Sequence, residues 1–314
     1  MKKILSALTV LVLSVVLVAC GASDATFNED ANIVVYTRDT TSGTRAGFME
    51  GIGFKEASAN DSILVQGIVT QDNTQIFSSM QTDAYGIGYI SLSTLTNQVK
   101  GLKFDGVVPS VANVINDTYG LKRPFMYMTR AAGDYPSEKV EQLVEAFVAF
   151  LGTTDAADII NNNGAIALSA TVTWDDIKEN YPVTAENNGS VTVRFGGSDS
   201  IQKVAEALTN AFKPKAGNFV AEHDHTGSGD AFKRTWDPSV KDTSVAKDVG
   251  FASRPFTQAE LSGSNEDNVG QLAWDAIVAI VHKNNPVSNI TADHLKKIYN
   301  GTFRTWSDVL EAQV

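Results

Sequence analysis

The sequence predicts an α/β protein in two lobes, and three observations predict it. An apolar run that opens into a donor-rich turn and a helix start occurs at residues 33–49 and again at 191–212, with different residues in each turn. Between the two, YPVTAENNGS at 181–190 breaks the hydrophobic pattern with Pro, Asn and Gly and makes a natural linker. Once the N-terminal leader is set aside, about 290 residues remain, too many for one small core and the right number for two. A composition of 43% hydrophobic and 19% charged residues with eight prolines fits a folded globular chain.

Taken in order, the chain begins with Met1-Lys2-Lys3 and an apolar run from Ile4 to Val18, a secretory leader too short to span a membrane comfortably. Leu17-Val18-Ala19-Cys20 matches the bacterial lipobox, in which the cysteine carries lipid; Cys20 is the single cysteine of the chain, and an anchor explains why it has no disulfide partner. Residues 1–19 are thus a lipoprotein signal and 20–30 a tether. Ile33 to Tyr36 form a short buried strand that feeds TRDTTSGTRAGF, residues 37–48. At such a strand–turn–helix junction the first helical N–H groups lack intrahelical partners and the helix dipole favours an anion. Ser42 and Thr44 add hydroxyl donors, Gly43 permits close approach, and Arg38 supplies a planar cation. The plain alternative is an N-capped helix with no ligand.

A helix is expected over Gln75–Met80, a strand from Tyr85 to Ile90, another from Pro124 to Thr129, and a helix from Ser137 to Gly152 with its apolar residues at core-facing spacing. After the linker, a strand at 191–195 leads into Ser198-Asp199-Ser200 and a helix that buries Ile201, Val204, Leu208 and Phe212. Thr226-Gly227-Ser228-Gly229 precede a further helix, and DVGFASRPF gives a strand and a turn carrying Ser253 and Arg254. Several donor-rich turns converging on one cleft make a dry oxyanion site, where a single turn makes only a cap.

The formal charge is −11, and removal of Lys2 and Lys3 with the leader takes it to −13, which argues against nucleic acid and against an anionic membrane surface as partners. His223 and His225, with no third ligand at useful spacing, make a poor metal site. No G-x-S-x-G elbow is present for a serine hydrolase. His282 and His294 are expected to be structural. TWDDIKE at 173–179 echoes TWSDVLE at 305–311 over too short a stretch to count as a repeat.

The set VYTRDTTSGTRAGF, YGIGYISLS, KFDGVVPSVANV, YGLKRPF, GSDS, TGSGDAF, DVGFASRPF and NITADHLKKIYNGTFRTW resembles the phosphate-binding protein of bacterial phosphate ABC importers over nearly the whole mature chain. In that family the GS-turn comes first and the RxxxSGT turn after the NITADHLKKIYNGTFRTW segment. Joining Val314 to Ala31 would restore that order, so the chain resembles a circular permutant. The resemblance implies a type II periplasmic-binding-protein fold, α/β in each of two lobes, closing on a dehydrated phosphate. It implies Arg38, Ser42, Gly43 and Thr44 as contacts from one lobe and Ser198, Asp199, Ser200 and Ser228 from the other, with Ser253 and Arg254 beside them. Where the family often has threonine this chain has Asp199, and where it often has aspartate, Arg254; Asp199 is therefore expected either to accept the phosphate proton, with Arg254 adding positive charge, or to cap the helix of residues 200–212.

The expected division is 31–118 plus 284–314 for the lobe with the RxxxSGT turn and 119–283 for the other, with both chain ends on the first. The implied function is an extracytoplasmic, lipid-anchored, monomeric receptor that hands inorganic phosphate to the permease of an ABC importer, without cofactor or catalysis. Alternatives are a receptor for sulfate, molybdate or tungstate, a surface protein acting on phosphoesters, an adhesion or signalling protein on the same fold, and a dimer formed by exchange of halves.

Overall fold

A computed structural model describes residues 27–313. The leader, Cys20 and most of the tether lie outside the described residues. Among the described residues no helix is long and apolar enough to cross a membrane.

The first part of the chain runs β1 (Val34–Thr37), α1 (Gly43–Gly51), β2 (Val69–Thr70), α2 (Asn73–Ser79), β3 (Gly86–Ser91), β4 (Lys100–Gly101), β5 (Lys103–Phe104) and α3 (Val111–Ile115). β6 (Lys122–Thr129) then opens a second group: α4 (Glu138–Leu151), α5 (Thr154–Asn162), β7 (Ile166–Ala167), α6 (Trp174–Ile177), β8 (Thr192–Gly197), α7 (Gln202–Phe212), β9 (Val220–His225), α8 (Gly229–Thr235), β10 (Val249–Ala252) and α9 (Gln258–Ser262). β11 (Val269–Val281) leads back to β12 (Asn289–Ile290), α10 (Ala292–Tyr299) and α11 (Trp306–Glu311) beside the first group.

One continuous sheet carries both groups, in the order β2-β1-β3-β11-β6-β10-β8-β9, with β4 and β7 also pairing with β11. The strands before each site turn pair in parallel, β1 with β3 and β8 with β10, so the turns that follow them leave the sheet on the same side as their neighbours'. Two large apolar clusters lie along this sheet. Phe48, Tyr89, Leu295 and Trp306 sit in one; Phe147, Phe195, Leu208 and Phe251 sit in the other. The helical spacing of α4 places Val140, Leu143, Val144 and Phe147 in the second cluster, behind the Ser137 N-cap.

β11 joins the two. Its first half pairs with β6, from Val269 opposite Met128 to Ala276 opposite Lys122, and its second half pairs with β3, from Ile277 opposite Ser91 to Val281 opposite Ile87. Ile277, Ala279 and Val281 pack in the first cluster. The crossing therefore falls near residue 276, inside a strand, and not at 283–284 as the sequence suggested. The apolar run gave no sign of it, because the strand is buried on either side of the crossing, from Leu272 to Val281 with Trp274 alone only partly so. Residues 181–190 are likewise no free linker: Val183 and Asn188 are buried, and Asn188 Nδ2 donates to the carbonyls of Val183 and Ala216.

The two ends of the described chain meet beside the first cluster. Ile33 N donates to the Arg304 carbonyl at 2.8 Å, Ser307 N to the Glu29 carbonyl at 2.7 Å, and Phe27 packs edge-on against Trp306.

Candidate functional site

Four of the expected residues come from the turn after β1. Ser42 is the N-cap of α1, its oxygen accepting from Arg45 N at 3.4 Å, which leaves the hydroxyl hydrogen free to donate. The N–H groups of Gly43 and Thr44 head the helix, where no intrahelical carbonyl reaches them. Arg38 lies fully buried beneath this turn. Arg45, also buried, fixes the backbone there by donating from Nη1 to the Arg38 carbonyl at 2.9 Å and from Nε to the Ala57 carbonyl at 3.0 Å.

The facing residues follow β8, β9 and β10. Gly197, at φ +100, occupies a conformation few side chains adopt, and a Cβ there would strike the Phe251 backbone; the turn into Ser198 therefore needs glycine. Ser198 N donates to the Phe251 carbonyl at 2.7 Å. Three hydroxyls then gather: Ser198 Oγ donates to Ser253 Oγ at 2.9 Å, Ser228 Oγ lies 3.2 Å from Ser253 Oγ, and Ser253 N donates to Ser228 Oγ at 3.0 Å.

The two halves are closed on each other. Arg38 Nη2 donates to both oxygens of Asp199 at 2.5 Å, and Arg38 Nη1 reaches Thr44 Oγ1 at 3.2 Å and Ser200 Oγ at 3.4 Å. Thr44 Oγ1 and Ser200 Oγ are 2.6 Å apart. Asp199 also accepts from Asn73 N, at the start of α2, at 3.2 Å. Gly43 faces the serine cluster so closely that a Cβ would lie 2.5 Å from Ser228 Oγ and 2.8 Å from Ser253 Oγ. Burial opposes the charge on Asp199, yet the Arg38 guanidinium and the Asn73 N–H overcome it and hold the carboxyl below its usual range. Arg38 Nε is buried without a hydrogen-bond partner, an unspent donor at the centre of the cluster.

Asp199 is thus not a helix cap. α7 begins at Gln202 with no side-chain cap, and the carboxylate turns across the cleft instead. Arg254 does not join the cluster. Its Nη1 and Nη2 bind Glu260 at 2.8 and 2.9 Å, and Glu260 also closes the capping box of α9 with Thr257, so the charge is spent on that helix start. Arg123, which the sequence reading did not single out, is drawn in: its Nη1 lies 3.1 Å from Ser253 Oγ, while Nε and Nη2 hold Asp275 Oδ2 at 3.0 and 2.8 Å. Asp275 Oδ1 accepts from Ser91 Oγ at 2.8 Å. The available signal was charge in the wrong place, since Arg123 lies in β6 just ahead of its apolar stretch and Asp275 interrupts LAWDAIVAIV.

The histidines are tied to each other. His223 Nδ1 and His225 Nε2 are 3.1 Å apart, His223 Nε2 meets Thr209 Oγ1 at 2.9 Å, and His225 Nδ1 meets the Ser198 carbonyl at 3.0 Å. Burial, reinforced by the neighbouring His225, pushes His223 down to about 4. Among the described residues no group of three or more His, Cys, Asp or Glu is placed to hold a metal ion.

Residues 182–314 match the model of the PBP superfamily domain. Phosphate-binding protein PstS 2 of Streptococcus pneumoniae serotype 4 (strain TIGR4) is 29% identical, covering 93% of this chain and 94% of its own. Phosphate-binding protein PstS 2 of Streptococcus agalactiae serotype V is 27% identical, covering 98% of each. Among solved structures, a phosphate-binding protein of a phosphate ABC transporter from Streptococcus pneumoniae TIGR4 superposes with a TM-score of 0.62 at 24% identity, over 89% of this chain and all of its own. The architecture described above is that fold.

Proposed function

We propose that this chain, whose residues 182–314 match the PBP superfamily domain, is an extracytoplasmic receptor that captures inorganic phosphate between two lobes and delivers it to the permease of an ABC importer. The observation that carries the reading is the Arg38 guanidinium, buried against Thr44, Ser200 and Asp199 with Nε unspent, beside a helix start whose Gly43 faces the hydroxyls of Ser228 and Ser253. The site residues are Arg38, Ser42, Gly43, Thr44, Ser198, Asp199, Ser200, Ser228 and Ser253. In the closed cleft the Asp199 carboxylate binds Arg38 and the Asn73 N–H as an oxyanion would. Phosphate entering there shares Arg38 with Asp199, which accepts the proton of a hydrogen phosphate; sulfate has no such proton and meets a repelling charge.

The site favours binding over catalysis. An acyl or phosphoryl transfer enzyme needs a base against a hydroxyl, whereas His225 meets the Ser198 carbonyl and His223 a threonine outside the cluster. Lipid on Cys20 would tether the lobe from which residue 27 emerges, the one that holds Arg38. The contacts of Asn32 and Ile33 with residues 304–305 support the circularly permuted order, since they bring the two ends to be joined into one lobe.

Ligand bound only by the folded state raises its melting temperature. Phosphate at a hundredfold excess over Kd should stabilise the lipid-free protein by about 2.7 kcal/mol, and Arg38→Ala should lose that shift. A phosphate shift retained in Arg38→Ala would remove Arg38 from the site; turnover of a chromogenic phosphate ester would favour the enzyme reading.

A further inference from the structure

We infer that Arg123, clamped by Asp275 where the chain crosses between lobes, is a positioning residue of the cleft that sets the Ser253 hydroxyl to donate to the bound oxyanion. The inference rests on the oxyanion-receptor reading above and adds to it a residue outside the expected set.

The geometry places Arg123 and Asp275 as directly paired residues on β6 and β11, the two strands at the crossing. The pair is buried, and it touches both lobes: Asp275 takes the Ser91 hydroxyl at the end of β3, and Arg123 Nη1 takes Ser253, reaching its carbonyl at 3.3 Å and its Oγ at 3.1 Å. A serine hydroxyl has one hydrogen and two lone pairs. Arg123 Nη1 and Ser198 Oγ both donate to Ser253 Oγ, which fills the lone pairs and leaves only the hydrogen to face outward. That hydrogen has Ser228 Oγ at 3.2 Å as a neutral acceptor, and a charged oxyanion is the stronger one. Without Arg123 the hydroxyl is free to rotate and to present a lone pair to the anion. Asp275 makes the arrangement rigid by holding the other edge of the guanidinium, so Nη1 cannot swing away with the lobe.

The test is a cycle of Arg123 and Ser253 variants titrated with inorganic phosphate. Ser253→Ala, which leaves Arg123 Nη1 the Ser253 carbonyl and the rest of the guanidinium its Asp275 pair, should weaken binding at least tenfold. Arg123→Lys keeps a cation against Asp275, but its single head cannot hold Asp275 and Ser253 together; it should lose a similar factor. Because Arg123 acts through the Ser253 hydroxyl, the double variant should bind no worse than the weaker single one. Wild-type affinity in either single variant, or losses that multiply in the double variant, overturns the assignment. Absence of phosphate binding by the unaltered protein would instead overturn the functional reading, and is seen before any variant is made.

Discussion

Which residue supplies charge, and where, decides the chemistry of this cleft. The sequence made Arg38 legible, because a cation just ahead of a donor-rich turn is a local pattern. It made Arg254 look equivalent, and here local reading failed: Glu260, six residues on, closes a capping box and captures that guanidinium. Arg123 shows in the sequence only as a misplaced charge, since its partners Asp275 and Ser253 lie far along the chain and only the sheet brings them together. Asp199 reads from sequence equally as acceptor or as cap, and its side chain turns to Arg38. Replacing it by asparagine should lower the ratio of phosphate to sulfate affinity, because the neutral amide no longer repels an unprotonated oxyanion; an unchanged ratio in competition binding would assign discrimination elsewhere. The same group links stability to pH. Its folded value lies below the ordinary 3.8, so its contribution is complete above that value and is lost as pH falls through the lowered one. As pH falls below 3.8 the unliganded protein should therefore lose more stability than Asp199→Asn, as denaturant titrations at each pH would record.

Elements with a clear start signal were the easiest to read. TWDDIKE and TWSDVLE are not a repeat, yet both become short helices with the same capping box, Thr173 with Asp176 and Thr305 with Asp308. The α4 helix and the strands before the site turns followed from periodicity. β11 did not declare its division, because one apolar run serves two cores. α1 joins its lobe's stability to closure through Gly43. In an exposed helix alanine is favoured over glycine by about 1 kcal/mol, whereas a Cβ here would collide with Ser228 and Ser253 on closing. Gly43 is buried, so that propensity gain does not apply, and Gly43→Ala should weaken phosphate binding tenfold or more whatever its effect on the melting temperature. A variant with intact affinity would show that the lobes do not close as described.

For the whole molecule, two lobes could be anticipated from length and from the doubled strand–turn–helix unit, but where the chain passes between them could not, since that depends on which strands pair. The circular permutation proposed above predicts that one chain completes its own cleft. Both ends meet beside the first cluster, through Ile33 with Arg304 and Glu29 with Ser307. A soluble chain starting at Gly21 should sediment as a monomer and keep its phosphate affinity on dilution; an obligate dimer whose binding fades with dilution would point to exchanged halves. The central claim, that the closed cleft around Arg38 is a phosphate site, is tested most directly by calorimetric titration of that soluble chain with phosphate and with sulfate. The account predicts one phosphate per chain and much weaker sulfate binding. Saturation by sulfate with no heat from phosphate would contradict it.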